Sequence, residues 1–280
     1  MSEQAPSPTA EQLYPPLARL LRPLVRLCIR AGMTFPALCQ LLRELYVNVA
    51  EHEYALPGKD QTDSRVSLLT GIHRKEVSRL RGAGAPVNDV PASVSRTGAI
   101  IAYWLADARF NDAAGKPMAL PRTADDGQPS FEALVAAVTR DVRPRAVLDE
   151  WADRGIVTID AEDRIVLTEA AFIPQQGDAD RLYYFGRNLH DHMAAAAANV
   201  LALRPAFMER AVHYDGLSAD LAARLEVRSR ELALEMLQQM NREAHAACET
   251  DTGGDHRWNC GVYVFRQQDV VPRTETDTRG

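Results

Sequence analysis

Between residues 73 and 81 the chain carries six side chains able to donate hydrogen bonds to nucleic acid: His73, Arg74, Lys75, Ser78, Arg79 and Arg81, with Glu76 the only acid among them. The planar fork of arginine brackets the two major-groove acceptors of guanine, whereas the point charge of lysine suits a phosphate oxygen. Arg74 and Arg79 are therefore the candidates for base contacts, and Lys75 and Arg81 for phosphate contacts. Spacing separates this set from an ordinary solvated charge run. Val77 and Leu80, three positions apart, give the same stretch an apolar side, so a helix here is buried on one side and basic on the other.

The elements that must hold this helix lie just before it, in the stretch DSRVSLLTGIHRKEVSRLR beginning at Asp63. Val66 and Leu69, again three apart, predict a first short helix with an inward side. Gly71 ends it, because glycine enters the left-handed conformation of a tight turn without steric cost. Ile72 plugs the corner. Two short helices across a glycine turn, the second apolar within and basic without, have the form that enters a DNA major groove. Ser67, Gly71, Ile72, Val77 and Leu80 occupy the positions that define the helix-turn-helix superfamily of bacterial regulators, which this stretch resembles; Ser67 departs from the more usual alanine. The resemblance covers about twenty residues. It implies a double-stranded DNA reader acting as a dimer, since one short helix reads too few base pairs for useful specificity. The wider N-terminal half, including the LxPLxRLCIRxGMTFPAL segment, also resembles an uncharacterised family of bacterial proteins, which brings no activity with it.

The chain of 280 residues is long enough for two or three small domains, and 46% of its residues are hydrophobic, ample for a folded core. A net charge of −6 and a pI near 5.7 argue against diffuse coating of DNA but not against a localised basic face. No run of about twenty apolar residues predicts a membrane span. The polar, proline-bearing N-terminus lacks the features of a signal peptide. The expectation is a cytoplasmic protein with no membrane partner. Cys28, Cys39, Cys248 and Cys260 form no CxxC pair, and a reducing compartment disfavours disulfides.

Taken in order, residues 1–11 read as disordered and residues 17–31 as an amphipathic helix. Leu17, Leu20, Leu21, Leu24, Leu27 and Cys28 share its apolar face, while Arg19, Arg22, Arg26 and Arg30 lie off it. Pro23 conflicts with this helix. A second helix, 35–53, has Thr34 as cap and Pro36 in its first turn. With the glycine-turn motif, capped by Thr62 or Asp63, these make a helix-turn-helix domain over residues 12–84. The glycine- and proline-rich linker after it places a boundary near Ala85. Residues 94–174 form a second domain. Its helix 94–109 turns Ile100, Ile101, Trp104 and Leu105 inward and is followed by a polar loop. A helix capped by Ser130 buries Phe131, Leu134, Val135 and Val138, and a helix starting at Pro144 buries Val147, Leu148 and Trp151. The alternating segment IVTIDAEDRIVLT predicts a β-hairpin. Helix, helix and two-stranded wing resemble a winged helix, but Asp149, Glu150, Asp153 and an acidic hairpin tip repel phosphates, so this domain reads as a structural or protein-contact module.

Residues 178–268 form a helical C-terminal region. A short strand and an alanine-rich helix are expected from about 181, broken at Arg204-Pro205. A long helix, 218–248, carries more apolar surface than one stripe requires, which makes it the expected homodimer interface. WNCGVYVFRQ reads as a strand and the tail as disordered. The fold class is mainly α, with a hairpin in the middle domain and one or two short strands near the C-terminus.

No catalytic residue, cofactor motif or metal-ligand spacing emerges. His190 and His192 are two apart, and on a helix such residues point to different faces; His213, His245 and His256 lie apart from them. Glu231 and Glu235 read as surface charge beside Arg228 and Arg230. The leading expectation is a non-enzymatic DNA-binding regulator. A protein-interaction adaptor built on the same helical hairpins is the alternative, and an enzyme with a site in the C-terminal region is a third reading.

Overall fold

The computed structural model describes residues 8–82, 92–125, 127–168, 178–203 and 205–268. They are mainly helical, with one small antiparallel sheet. The chain divides into two units, Met1–Asp89 with Val200–Arg204 and Val90–Asn199 with Pro205–Gly280. The expected boundary near Ala85 and the expected disordered tail lie outside the described residues.

The first unit begins with α1 (Ala10–Arg30), which starts about two turns before the expected helix. A capping box explains the early start: Gln12 N donates to Thr9 Oγ1 at 3.3 Å, and Thr9 N donates to Gln12 Oε1 at 2.9 Å. Pro15, Pro16 and Pro23 are accommodated inside the helix. None of its residues is buried, so the leucine face has no full cover. α2 (Phe35–His52) follows, with Thr34 at the cap position but no bond from its hydroxyl. α3 (Asp63–Thr70) is capped by Thr62, whose hydroxyl accepts from Arg65 N, and α4 (Arg74–Leu80) lies beyond the turn. Val47 and Ala50 of α2, Val66 of α3, and Val77 and Leu80 of α4 form the buried core, with Ile72 packed against it. Leu69, expected inward, is 45% exposed. The inward side of α3 runs instead through Val66 and Thr70, whose hydroxyl donates to the Val66 carbonyl at 2.7 Å.

The second unit contains α5 (Ala92–Ala106), a single 3-10 turn (Ala108–Phe110), β1 (Leu120–Pro121), α6 (Phe131–Val138), α7 (Pro144–Asp153), β2 (Val157–Ile159) and β3 (Arg164–Leu167). The sheet order is β1-β3-β2, with Leu120 opposite Ile165 and Thr158 opposite Val166. β1 lies in a stretch that reads as a polar loop; its two residues are too few to show alternation, yet Leu120 is fully buried. The core stacks Trp104, Phe131 and Trp151 edge to face, with ring centroids 6.2 and 5.8 Å apart. Ser130 caps α6, its hydroxyl accepting from Ala133 N at 3.1 Å.

α8 (Asp178–Val200) is one continuous helix, so the short strand expected there is absent. α9 (Ala219–Cys248) is capped by Ser218 and packs on α5. Asn241 Nδ2 donates to the Ala102 carbonyl at 2.9 Å, and the His245 ring lies 5.3 Å from that of Tyr103. The strand expected near Trp258 is also absent: residues 256–268 are irregular. Side chains hold this segment in place of a ladder, since Arg257 and Asn259 bond Asp191 of α8 and Arg266 bonds Glu226 of α9. The described C-terminal residues therefore contain no strand. No described helix is long and apolar enough to cross a membrane.

The turn between α3 and α4 depends on Gly71, whose φ is +71°. A Cβ there would meet nothing within 4 Å, so a side chain is opposed by the backbone conformation and not by a clash. Gly71→Val should destabilise the first unit by about 1–3 kcal/mol, and Gly71→Asn by clearly less, because asparagine tolerates the left-handed region. Thermal denaturation of the two variants checks this order.

Candidate nucleic-acid interface

The glycine turn is reinforced by two side chains. Ser67 Oγ donates to the Ile72 carbonyl at 2.7 Å, and Thr70 Oγ1 accepts from Ile72 N at 3.2 Å. A serine in place of alanine thus gains a bond across the corner it sits beside. Ile72 is thereby held against the core, and the direction in which α4 leaves the turn is set. His73 caps α4, its Nδ1 accepting from Lys75 N at 3.3 Å. That bond leaves the neutral ring's proton on Nε2, facing outward as a donor.

Along α4 the inner positions, Val77 and Leu80, are buried, whereas His73, Arg74, Lys75, Ser78 and Arg79 are exposed. Five of the six residues singled out by their chemistry thus share the outer surface. Arg79 is 58% exposed and is engaged by Glu76 one turn earlier: Nε donates to Oε2 at 3.0 Å and Nη2 to Oε1 at 2.6 Å. The guanidinium holds the Glu76 carboxyl below its ordinary range.

Arg81 is placed differently. Its side chain is 26% exposed and points back into the unit. Nε donates to Glu51 Oε1 at 2.8 Å, Nη1 to Asp63 Oδ1 at 2.6 Å and Nη2 to the Gln61 carbonyl at 2.7 Å. One guanidinium so ties the end of α4 to the last turns of α2, the first residue of α3 and the loop between them. The expected phosphate contact is in this position a clamp. Asp63 is held below its ordinary value of 3.8, chiefly by the hydrogen bond from Arg81. Sequence marks Glu76 only as the lone acid of this stretch and does not mark Glu51. The three-residue spacing of Glu76 and Arg79 is a local signal for such a pair; Glu51, thirty residues from Arg81, offers none.

The second unit presents opposite charge. On α7, Arg154 bonds Glu150 at 3.0 Å, and Arg145 lies 4.0 Å from Asp149. At the hairpin, Arg164 meets Asp160 and Glu162, each at 2.9 Å, and Arg122 meets Asp163 at 3.1 Å. These four arginines are thus matched to local carboxylates. Further on, His190 contacts Asp191 and His192 lies 3.6 Å from Glu209, while Asp191 is held near a pKa of about 2, chiefly by Arg257. Glu231 pairs with Arg228 at 2.9 Å. No group of three or more potential ligands among the described residues is placed to hold a metal ion.

With the geometry in hand, comparison with known proteins adds one match. Residues 12–272 fit the model of a family of unknown function, DUF6502. No curated protein and no solved structure matches the chain.

The clamp makes a pH-dependent contribution. A carboxyl depressed on folding stabilises fully above its unfolded value and loses that contribution as the pH falls through its folded value. Arg81→Ala should lower the melting temperature of the first unit at neutral pH by on the order of 5 °C. Asp63→Asn should flatten the acid limb below pH 3.8, the ordinary value of the carboxyl it removes. Circular dichroism melts across pH 2 to 7 on the variants and the parent test both.

Proposed function

From the premise that the chain belongs to this family of unknown function, and from its own geometry, we propose a DNA-binding protein, a transcriptional regulator that reads the major groove with α4. The observation that carries the reading is the outer surface of α4: His73, Arg74, Lys75, Ser78 and Arg79 are exposed opposite the buried Val77 and Leu80, across a left-handed glycine turn. α2, α3 and α4 form the three-helix core of the proposed helix-turn-helix domain. Arg74 and Arg79 contact bases; Lys75, His73 and Ser78 contact phosphates or base edges. Arg81 serves as the clamp that aims them.

The second unit supports a supplementary role. The order α5-β1-α6-α7-β2-β3, with β1 paired to β3, supports a winged-helix reading of the described residues 94–125 and 127–168. Asp149, Glu150 and Asp153 on α7 oppose a phosphate backbone, so this domain is assigned to protein contact. Region 178–268 supplies a homodimer interface through α9. Asn241 and His245 mark the side of α9 that meets α5. At helical spacing Leu225, Leu232 and Met236 fall on the opposite side, and all three are exposed.

A second reading, a protein-interaction adaptor, is favoured by α1. Leu13, Leu17, Leu20, Leu24 and Leu27 alternate steps of four and three, the seven-residue repeat by which one helix seats another, and none of them is buried.

Two measurements decide. Selection of bound genomic fragments by the purified protein should recover a palindromic site. On it Arg79→Ala should cost roughly 1–3 kcal/mol and little on random DNA, while Lys75→Ala should weaken all sequences about equally and reduce the salt slope by about one. Unchanged binding in both variants, with the fold intact, leaves the adaptor reading in front. For the dimer, Leu225→Glu combined with Leu232→Glu should leave a monomer by light scattering; a parent protein already monomeric at micromolar concentration removes the interface.

A further inference from the structure

Glu76 is the one acid on the outer stretch of α4, where a negative charge opposes any phosphate. Both of its oxygens are engaged by Arg79, in side-on geometry through Nε and Nη2. We propose that Glu76 is a specificity-determining residue that holds Arg79 ready for a guanine, a role that rests on the DNA-reading function of α4.

The argument starts from the five N–H groups of a guanidinium. Side-on pairing with a carboxylate uses the Nε–H and one N–H of Nη2. The remaining N–H of Nη2 and both of Nη1 stay free. One from each nitrogen points along the far end of the fork, the edge that spans guanine O6 and N7. Arg79 can therefore keep Glu76 and take a guanine at once, in one plane. Arg79 is 58% exposed and Glu76 31%, so the arginine is the more accessible member of the pair. The pair also limits the rotamers of a long side chain before DNA arrives, so less freedom is lost on binding. The carboxylate works against random DNA in two ways. It repels phosphates, and it keeps Arg79 from swinging to the backbone. A bare arginine binds more DNA with less discrimination; a buttressed one binds less DNA and discriminates better.

Arg81 shows by contrast why it does not share this role. Each of its three nitrogens bonds Glu51, Asp63 or the Gln61 carbonyl, and these partners turn its 26%-exposed side chain back into the unit, away from the outer surface of α4.

The test uses the full-length protein, a duplex carrying the site it selects, single base-pair substitutions of that site, and a scrambled duplex of equal length. Glu76→Ala and Glu76→Gln should raise affinity for the scrambled duplex several-fold. They should cut the specific-to-scrambled ratio about tenfold. The loss of discrimination should fall on the same base pair at which Arg79→Ala loses it. Glu76→Ala combined with Arg79→Ala should discriminate no worse than Arg79→Ala alone, since the acid acts through the arginine. A wild-type ratio in Glu76→Ala, loss at a different base pair, or losses that add in the double variant would overturn the role of Glu76 while leaving DNA reading intact. A parent protein that selects no sequence overturns both. Circular dichroism on each variant separates these outcomes from unfolding, and Glu76→Gln, which keeps shape and a hydrogen-bond acceptor while removing charge, is the variant least able to perturb the fold.

Discussion

The orientation of α4 depends on one guanidinium. The buried core of the first unit is only five side chains, and α4 contributes Val77 and Leu80 to it. Two apolar anchors three residues apart fix a helix's distance from its neighbours better than its direction. Arg81 supplies the direction. By reaching Glu51, Asp63 and the Gln61 carbonyl at once, it fastens the C-terminal end of α4 to both other helices of the motif. The turn at Gly71 fastens the other end. Exposed ion pairs contribute little to stability in general, but this one is three-quarters shielded and shared among three acceptors, so losing it leaves two carboxylates without their common partner.

Much of the architecture was legible because local rules agreed with tertiary demands. Ser130 and Thr62 cap the helices they precede, Gly71 and Gly155 take positive φ beyond helix ends, and the period-two pattern after Gly155 folds as a hairpin. What escaped has physical causes. β1 is too short for periodicity to register. Pro15 and Pro16 argue against a helix that a capping box nonetheless starts at Ala10. The aromatic-rich start of α8 and the segment at Trp258 have strand-like composition, but a strand needs an edge to pair with, and side-chain bonds to Asp191 and Glu226 meet that segment instead. At the candidate site the outward set on α4 was readable from spacing alone. The inward turn of Arg81 was not, because its partners lie 18 to 30 residues away in the chain.

The two units divide charge between similar architectures. Each sets a short helix against two others, yet α4 turns a basic surface outward and α7 an acidic one. For an acidic chain this division has a consequence. Non-specific attraction to DNA follows the charge of whatever surface approaches it. For the proposed DNA-reading role, a basic surface on α4 within a net-negative protein favours sites where geometry allows base contacts, and the carboxylate of Glu76 in that helix would act in the same direction on a smaller scale.

α1 bears on how the folded state is sustained. A helix of 21 residues with three internal prolines loses backbone hydrogen bonds that its own sequence cannot restore. Most helical stability in proteins comes from packing of an apolar face. Yet α1 buries none of its residues, and its leucines follow a seven-residue repeat with arginines kept to the far side. A capping box at one end offsets only part of that deficit. Burial within the first unit therefore stabilises α1 only in part, its leucines remaining half-exposed. The same reasoning applies to α9, which has one side on α5 and an apolar row on the other. Both long helices thus expose apolar rows among the described residues, and the apolar area left in water there is stabilisation that the packing of one chain does not collect.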